Sequence, residues 1–407
     1  MREALPAMPL GSSGTASSTV VVVAVAVALM MMMWAPAAGG TDAPPPLYVR
    51  MADTALQIWN SSGPGKEVWN YERGVLLYGI QQVWRRTKDP KYLAFLQNRT
   101  DAFVTSDGSI PTYNLTEYNL DNIRSGTVLL FLWKQTGKSM YKKAADLLRE
   151  QLKSHPRTNE GGFWHKLIYP YQMWLDGLFM AEPFYAQYAL LFQEPSDFDD
   201  IALQFTLMEE HARDAKTGLL YHGYDESRQQ AWADPQTGTS PSFWGRAVGW
   251  FFMALVDTLD FFPKSHAQRA DLVSILQRLA VAVAKVQDPA TGVWWEVLDQ
   301  GGREGNYLES SASCMFVYSL AKGVKRGYLS KSTYKDVYTR GFQGIQTQFV
   351  QARPDGGVDL NSTVSVGGLG GSPYRNGTYE YYLSEKVVTN DAKGVGPFLL
   401  ASLYLLS

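Results

Sequence analysis

Five short turns that end in glycine punctuate this chain at regular intervals, and that period constrains the fold more than any other feature. They are Ser106-Asp107-Gly108 and residues 157–162 (RTNEGG), 214–218 (DAKTG), 288–292 (DPATG) and 353–357 (RPDGG). The steps between Gly108, Gly161, Gly218, Gly292 and Gly356 are 53, 57, 74 and 64 residues, so one unit recurs about every sixty. Each turn follows an amphipathic, charged segment, at 92–103, 141–154, 199–213, 270–287 and 334–349. Alternating with these are segments apolar nearly all round, at 67–84, 122–134, 174–192, 243–262 and 311–324. A helix apolar on every side must be buried on every side, whereas an amphipathic one covers it from outside. One hairpin of this kind cannot bury its inner helix alone, but a closed ring of hairpins can. The chain holds about six such units, and residues 389–406 again have inner character and suit a pairing with the first unit. The expected fold is therefore all-α, a single (α/α)6 barrel (six-hairpin toroid) over residues 48–407. A flat helical solenoid is the rival and would leave that last segment without its partner.

The first forty residues stand apart from this pattern. Residues 1–19 are rich in Ser and Gly, 20–34 form an unbroken apolar run, and Ala35-Pro36-Ala37 offers small residues for cleavage. Residues 1–40 read as a secretory signal peptide, or as an uncleaved signal anchor, since the run approaches the roughly 20 residues needed to span a bilayer. A Pro-rich linker at 41–47 follows. The expected location is secreted and extracellular, with a membrane tether as the alternative. Acceptor sequons at Asn60, Asn98, Asn114, Asn361 and Asn376 agree with passage through a glycosylating compartment. The single cysteine, Cys314, excludes an intrachain disulfide framework and lies in an apolar stretch, where a buried inert thiol is expected. With a net charge of −2 and no block of Lys or Arg, the chain has no electrostatic footprint for nucleic acid.

Residues 161–184 concentrate chemistry. Asp176 sits there among Trp164, His165, Lys166, Tyr169 and Trp174. These are flat faces for pyranose rings, cations for a uronate, and an acid shielded enough to hold its proton near neutral pH. The plainer reading makes the aromatics core and Asp176 a helix cap. A second acid, Asp121, stands where an inner helix should begin and is either a catalytic partner or that helix's N-cap. In residues 242–250 Arg246 lies between Trp244 and Trp250, a planar cation between aromatic walls that suits a carboxylate, unless it pairs with a structural acid. His222 follows a repeat turn and so belongs at the same rim. The five histidines, His155, His165, His211, His222 and His266, show no zinc-helix spacing, and no metal or organic cofactor is expected. The glycines of residues 366–371 lack the strand-to-helix context of a phosphate loop and read as a tight loop.

From about Trp69 onward the chain resembles glycoside hydrolase family 105, the unsaturated rhamnogalacturonyl hydrolases, relatives of the unsaturated glucuronyl hydrolases. The resemblance rests on residues 169–177 (YPYQMWLDG), 243–246 (FWGR) with Gly249-Trp250, 306–311 (NYLESS), and the late stretch from 365–368 (SVGG) through 379–382 (YEYY) to 394–396 (GVG). It implies the six-hairpin barrel and a hydrolase that removes a 4,5-unsaturated uronic acid from the non-reducing end of lyase-generated pectin oligosaccharides. In that chemistry Asp176 protonates the ring double bond and water adds at the adjacent carbon. The hemiketal then opens and releases the neighbouring sugar. Asp121 matches the family's second acid. By the same resemblance Tyr71, His165, Lys166, Trp174, His222, Trp244, Arg246 and Trp250 line the pocket, with Lys166 and Arg246 as candidates to pair the uronate. Donation requires a protonated Asp176, so burial near Trp174 and Phe179, with Asp121 as a like charge, is expected to raise its pKa. The partners implied are the unsaturated oligosaccharide and water, with no protein partner. Open alternatives are an unsaturated glucuronyl hydrolase for another lyase-treated polysaccharide, an α/α-toroid lyase, and a sugar-binding protein.

Overall fold

The computed structural model describes residues 44–61 and 68–406. The segment read as a signal, 1–40, and most of the linker lie outside them. Six largely buried helices form the inner layer. They are α2 (Tyr71–Thr87), α4 (Gly126–Thr136), α6 (Leu175–Phe192), α8 (Gly245–Thr258), α10 (Ser310–Lys325) and α13 (Ala392–Leu405). All of α8 is buried, as are residues 310–323 of α10 and 175–189 of α6. The outer layer is α1 (Leu47–Ser61), α3 (Pro90–Asp101), α5 (Ser139–Ser154), α7 (Asp197–Ala212), α9 (Arg269–Lys285) and α11 (Lys331–Gln348). These bury one face only: α5 turns Tyr141, Ala144, Ala145, Leu148 and Leu152 inward, at the spacing of a single helical stripe.

The inner helices pack in sequence, α2 on α4, α4 on α6, α6 on α8, α8 on α10 and α10 on α13, and α13 returns to α2. The ring is closed, as the repeat predicts, and residues from Pro45 onward form one compact unit. The outer partner that the last inner helix lacks in the sequence reading is α1, at the other end of the chain, which packs on both α13 and α2. Leu47, assigned to the linker from sequence, is its first residue.

All five repeat glycines adopt the left-handed backbone that their turns require, with φ of 92°, 97°, 77°, 80° and 86° from Gly108 to Gly356. An acidic side chain braces several of these turns: Asp214 accepts from Thr217 N and Asp288 from Thr291 N, both at 2.8 Å. Helix starts are set by local chemistry. Asn70, Asp89, Glu309 and Asp391 cap α2, α3, α10 and α13 through their side chains. Three two-stranded antiparallel ladders, invisible in the sequence reading, join the loops: β1 (Gln172–Trp174) with β2 (Gly223–Asp225), β3 (Val350–Ala352) with β4 (Val358–Leu360), and β5 (Thr363–Val364) with β6 (Val387–Val388). One further short helix, α12 (Tyr379–Ser384), precedes β6. Cys314 is fully buried in α10, and burial pushes its thiol well up, as an inert core residue requires.

Ring closure depends on a close backbone approach between α2 and α13. A Cβ on Gly396 would stand 2.6 Å from the carbonyl oxygen of Val75, and one on Gly79 would stand 3.0 Å from that of Gly396. Gly396→Ala is therefore expected to push the closing helices apart and cost about 2 kcal/mol, read as a lower denaturation midpoint at unchanged slope. A wild-type midpoint would show that closure tolerates a wider gap.

Candidate active site

The inner helices start at one end of the ring, and backbone pairing between loops sets what meets there. In the β1–β2 ladder Trp174 lies opposite Gly223, and the next amide, Leu175 N, donates to the His222 carbonyl at 3.0 Å. That register lays the first turn of α6, with Asp176, against His222. A second pairing runs beside it. Leu120 N donates to His165 O at 3.1 Å, Leu167 N donates to Tyr118 O at 3.0 Å, and Asn119 bridges Lys166. It carries a 3₁₀ turn, Leu120–Ile123, and its Asp121 onto His165 and Lys166. His165 N donates to Gln172 O at 2.7 Å and joins the two pairings into one layer.

Asp176 is 8% exposed, and its Oδ2 lies 2.9 Å from Nε2 of His222, which is wholly buried. The contact has ion-pair distance without the angle of a regular hydrogen bond. Burial pushes the Asp176 carboxyl up, but the charge and contact of His222, with a smaller pull from His165, outweigh it and hold the group below its ordinary value. This corrects the expectation of a raised pKa: the dominant neighbour of Asp176 is His222. A carboxylate at 2.9 Å requires a proton on Nε2. On the other side of the ring, Nδ1 lies 2.7 Å from the Tyr382 hydroxyl. Burial drives the Tyr382 phenol well up, so it stays a hydroxyl, and its oxygen accepts from Nδ1–H.

Asp121 is held differently. Its Oδ2 lies 2.6 Å from Lys166 Nζ, and its Oδ1 lies 3.5 Å from His165 Nε2. The cap of its 3₁₀ turn is Asn119, whose side chain accepts from Asp121 N at 3.0 Å, so the helix-cap reading of Asp121 fails. Burial alone would lower the Lys166 pKa, but Asp121 outweighs it and raises it, so this cation is already paired and is not a free reader of a substrate carboxylate. Burial pushes His165 down to about 4, so it is neutral near pH 7 while it senses the charge of both Asp121 and Asp176. Tyr71, the first residue of α2, is pushed well up by burial, then by Asp121, Glu72 and Asp176, and remains a hydroxyl donor at the same end of the ring.

The aromatics divide into two groups. Trp174 stacks on His165 at 4.5 Å and on Tyr169 at 4.8 Å, and it packs with Trp232 and with Leu369 of the glycine loop. Trp244 stacks on Tyr382 at 5.6 Å and donates from Nε1 to Glu296 Oε1 at 2.7 Å. Arg246 lies over Trp244, 4.8 Å from the ring centroid, and donates to the Val364 carbonyl. Trp250 is not a second cleft wall around Arg246. It is 1% exposed and stacks flat on Phe179 at 4.7 Å inside the ring. The sequence reading missed Tyr382 as the group behind His222, although it lies in the YEYY segment, and it missed Arg375, which donates to the Tyr169 hydroxyl at 2.8 Å. A cleft of about 860 Å³ opens beside Trp174, lined by Tyr169, Gln172, Gln230, Tyr374, Arg375 and Tyr381 among others. Among the described residues no group of three or more His, Cys, Asp or Glu is placed to share a metal ion.

Residues 49–406 match the family model described as Glycosyl Hydrolase Family 88. A solved glycoside hydrolase from family 105 of C. acetobutylicum is 47% identical with a TM-score of 0.85, the likeness covering 88% of this chain and 99% of that one. Protein Atu3128 of Agrobacterium fabrum is 41% identical over 227 residues, 54% of this chain and 96% of that protein. The unsaturated rhamnogalacturonyl hydrolase YesR of Bacillus subtilis is 28% identical over 272 residues, 65% of this chain and 74% of that enzyme.

Since His222 holds the Asp176 carboxyl down, His222→Asn is expected to leave burial in command, so that Asp176 titrates above its ordinary value. Carboxyl carbon NMR of the ligand-free protein follows this directly, and equal titration in both proteins would remove His222 as the cause. The sign for stability follows. With its folded pKa below the unfolded value of about 3.9, Asp176 contributes stability present above about pH 4 and lost as pH falls through the folded value.

Proposed function

The chain belongs to Glycosyl Hydrolase Family 88 and to the family 105 hydrolases that share its ring, and we propose that it removes a 4,5-unsaturated galacturonyl residue from the non-reducing end of lyase-generated rhamnogalacturonan oligosaccharides. The coarser statement is established by that membership: the protein is a glycoside hydrolase of the unsaturated uronide class, using water. The rhamnogalacturonan substrate draws support from the likeness to the B. subtilis enzyme.

One observation carries the mechanism. Of the two acids, Asp121 is neutralised by Lys166, whereas Asp176 faces only a proton-bearing His222 backed by Tyr382. Direct displacement at an anomeric carbon calls on two carboxylates in complementary roles. Hydration of an enol ether calls on one acid. The proton comes from His222, whose Nε2 lies 2.9 Å from Asp176 Oδ2. An unsaturated uronate brought into this dry site adds negative charge beside Asp176 and raises its hold on that proton. Asp176 then protonates the double bond, water adds at the neighbouring ring carbon, and the hemiketal opens to release the next sugar. Tyr169 offers a flat face in the cleft.

From the leader-like residues 1–40 we infer that the enzyme is exported, either secreted or held by an uncleaved anchor. Asn60, Asn98, Asn114 and Asn376 are exposed, as glycan acceptors must be, and Asn361 is half-buried.

With lyase-digested rhamnogalacturonan, the ultraviolet absorbance of the conjugated uronate is expected to fall in step with release of the rhamnose-terminated product, unaffected by chelator. Equal cutting of saturated oligosaccharides would overturn the hydration chemistry, and a clear preference for unsaturated glucuronides from other polysaccharides would overturn the substrate. Asp176→Asn is expected to lower turnover by roughly 10²- to 10⁴-fold with binding retained, since the amide keeps the shape and cannot donate. Lys166→Ala strips Asp121 of its partner, so its loss is expected to be equal on a free-acid disaccharide and on its methyl ester. A loss confined to the free acid would instead make Lys166 the carboxylate reader.

A further inference from the structure

The end of the ring opposite the catalytic layer holds a second concentration of charge. There the C-terminal halves of α2, α8 and α10 enclose a cavity of about 100 Å³, lined by Tyr78, Gln81, Arg124, Asp257, Tyr318 and Lys322 among others. Such a volume accommodates about three water-sized species. Asp257 Oδ1 lies 2.6 Å from Lys322 Nζ and accepts from the Tyr318 hydroxyl at 2.6 Å. Lys322 also lies 2.8 Å from Asp260, which in turn meets Arg326 at 2.8 Å. Two carboxylates and two cations thus match.

Arg85, also in the lining, reaches solvent, which leaves Arg124 as the excess buried cation. It is 0% exposed, and no described residue accepts a hydrogen bond from its Nε, Nη1 or Nη2. Its Cζ lies 3.9 Å from the centroid of the Phe179 ring and 4.8 Å from that of Tyr78. Those contacts give cation–π attraction but no acceptor for the guanidinium N–H groups. The nearby Asp257 charge is already paired with Lys322, and a buried guanidinium whose N–H groups have no acceptor is an arrangement that proteins otherwise avoid. We propose that this cavity binds a small monovalent inorganic anion of chloride size, held by the guanidinium of Arg124. The amide of Gln81, whose Oε1 has no protein partner, supplies a further donor when turned about its final torsion. Asp257 Oδ2 also lacks a protein partner. Its charge excludes divalent anions and keeps the bound ion on the Arg124 side, with water between.

The test needs no substrate and stands apart from the catalytic reading. Thermal unfolding of the ligand-free protein is followed at fixed ionic strength while chloride replaces gluconate, which is too large for the cavity. Above half-saturation Tm is expected to rise by roughly 1 to 3 °C per tenfold increase in chloride, and Arg124→Gln is expected to abolish the response. A wild-type crystal soaked in bromide is expected to show an anomalous peak within about 3.5 Å of the guanidinium. An equal chloride response in the variant, none in the wild type, or a bromide map with ordered water alone beside Arg124 would overturn the site. Should Arg124→Gln fail to fold, the bromide map decides.

Discussion

The structure depends on one constraint: six largely apolar helices must each be covered nearly all round. Neighbours on either flank and an outer helix behind achieve this only if the row of inner helices returns to its start, and α13 against α2 is where it does. Closure then dictates where chemistry can be. With the walls apolar, charged groups collect at the two ends of the ring. Asp176, Asp121 and their partners gather where the inner helices begin, and Asp257, Lys322 and Arg124 lie toward the other end.

At the catalytic end two aspartates of similar burial acquire different characters from their neighbours alone. A lysine at 2.6 Å turns Asp121 into half of an ion pair that fixes the loop carrying it. A histidine held from behind by a tyrosine sets Asp176 in close contact with an imidazole. What separates the two acids is the partner, a lysine at 2.6 Å for Asp121 and a histidine at 2.9 Å for Asp176.

The ring was legible in the sequence because its signals are long and repeated: apolar runs too continuous for a surface helix, and turns whose glycines all need positive φ. Asp176 was legible because acids are rare amid so much aromatic surface. Less visible were features set by pairing between distant segments. The β1–β2 ladder is three residues a side, too short for periodicity to announce, yet its register decides that His222 meets Asp176 and so reverses the expected shift of the acid. Trp250 was misplaced for a geometric reason. Trp244 precedes α8 and Trp250 lies well inside it, so closeness in sequence says nothing about a shared cleft. Helix α1 was passed over because its role as outer partner is defined by a helix at the far end of the chain.

That last feature bears on how the protein is made. The first inner helix, α2, leaves the ribosome some three hundred residues before α13, the helix that covers one of its flanks. Until then the growing chain carries an apolar groove bordered by α1 and α2 that nothing made so far can fill. The arc of earlier hairpins can assemble in order, but its open edge persists until α13 has been made. A truncation that removes only the final helix would therefore expose sticky surface on both sides of the gap, and such a chain is a substrate for chaperones and proteases, not a slightly weakened enzyme.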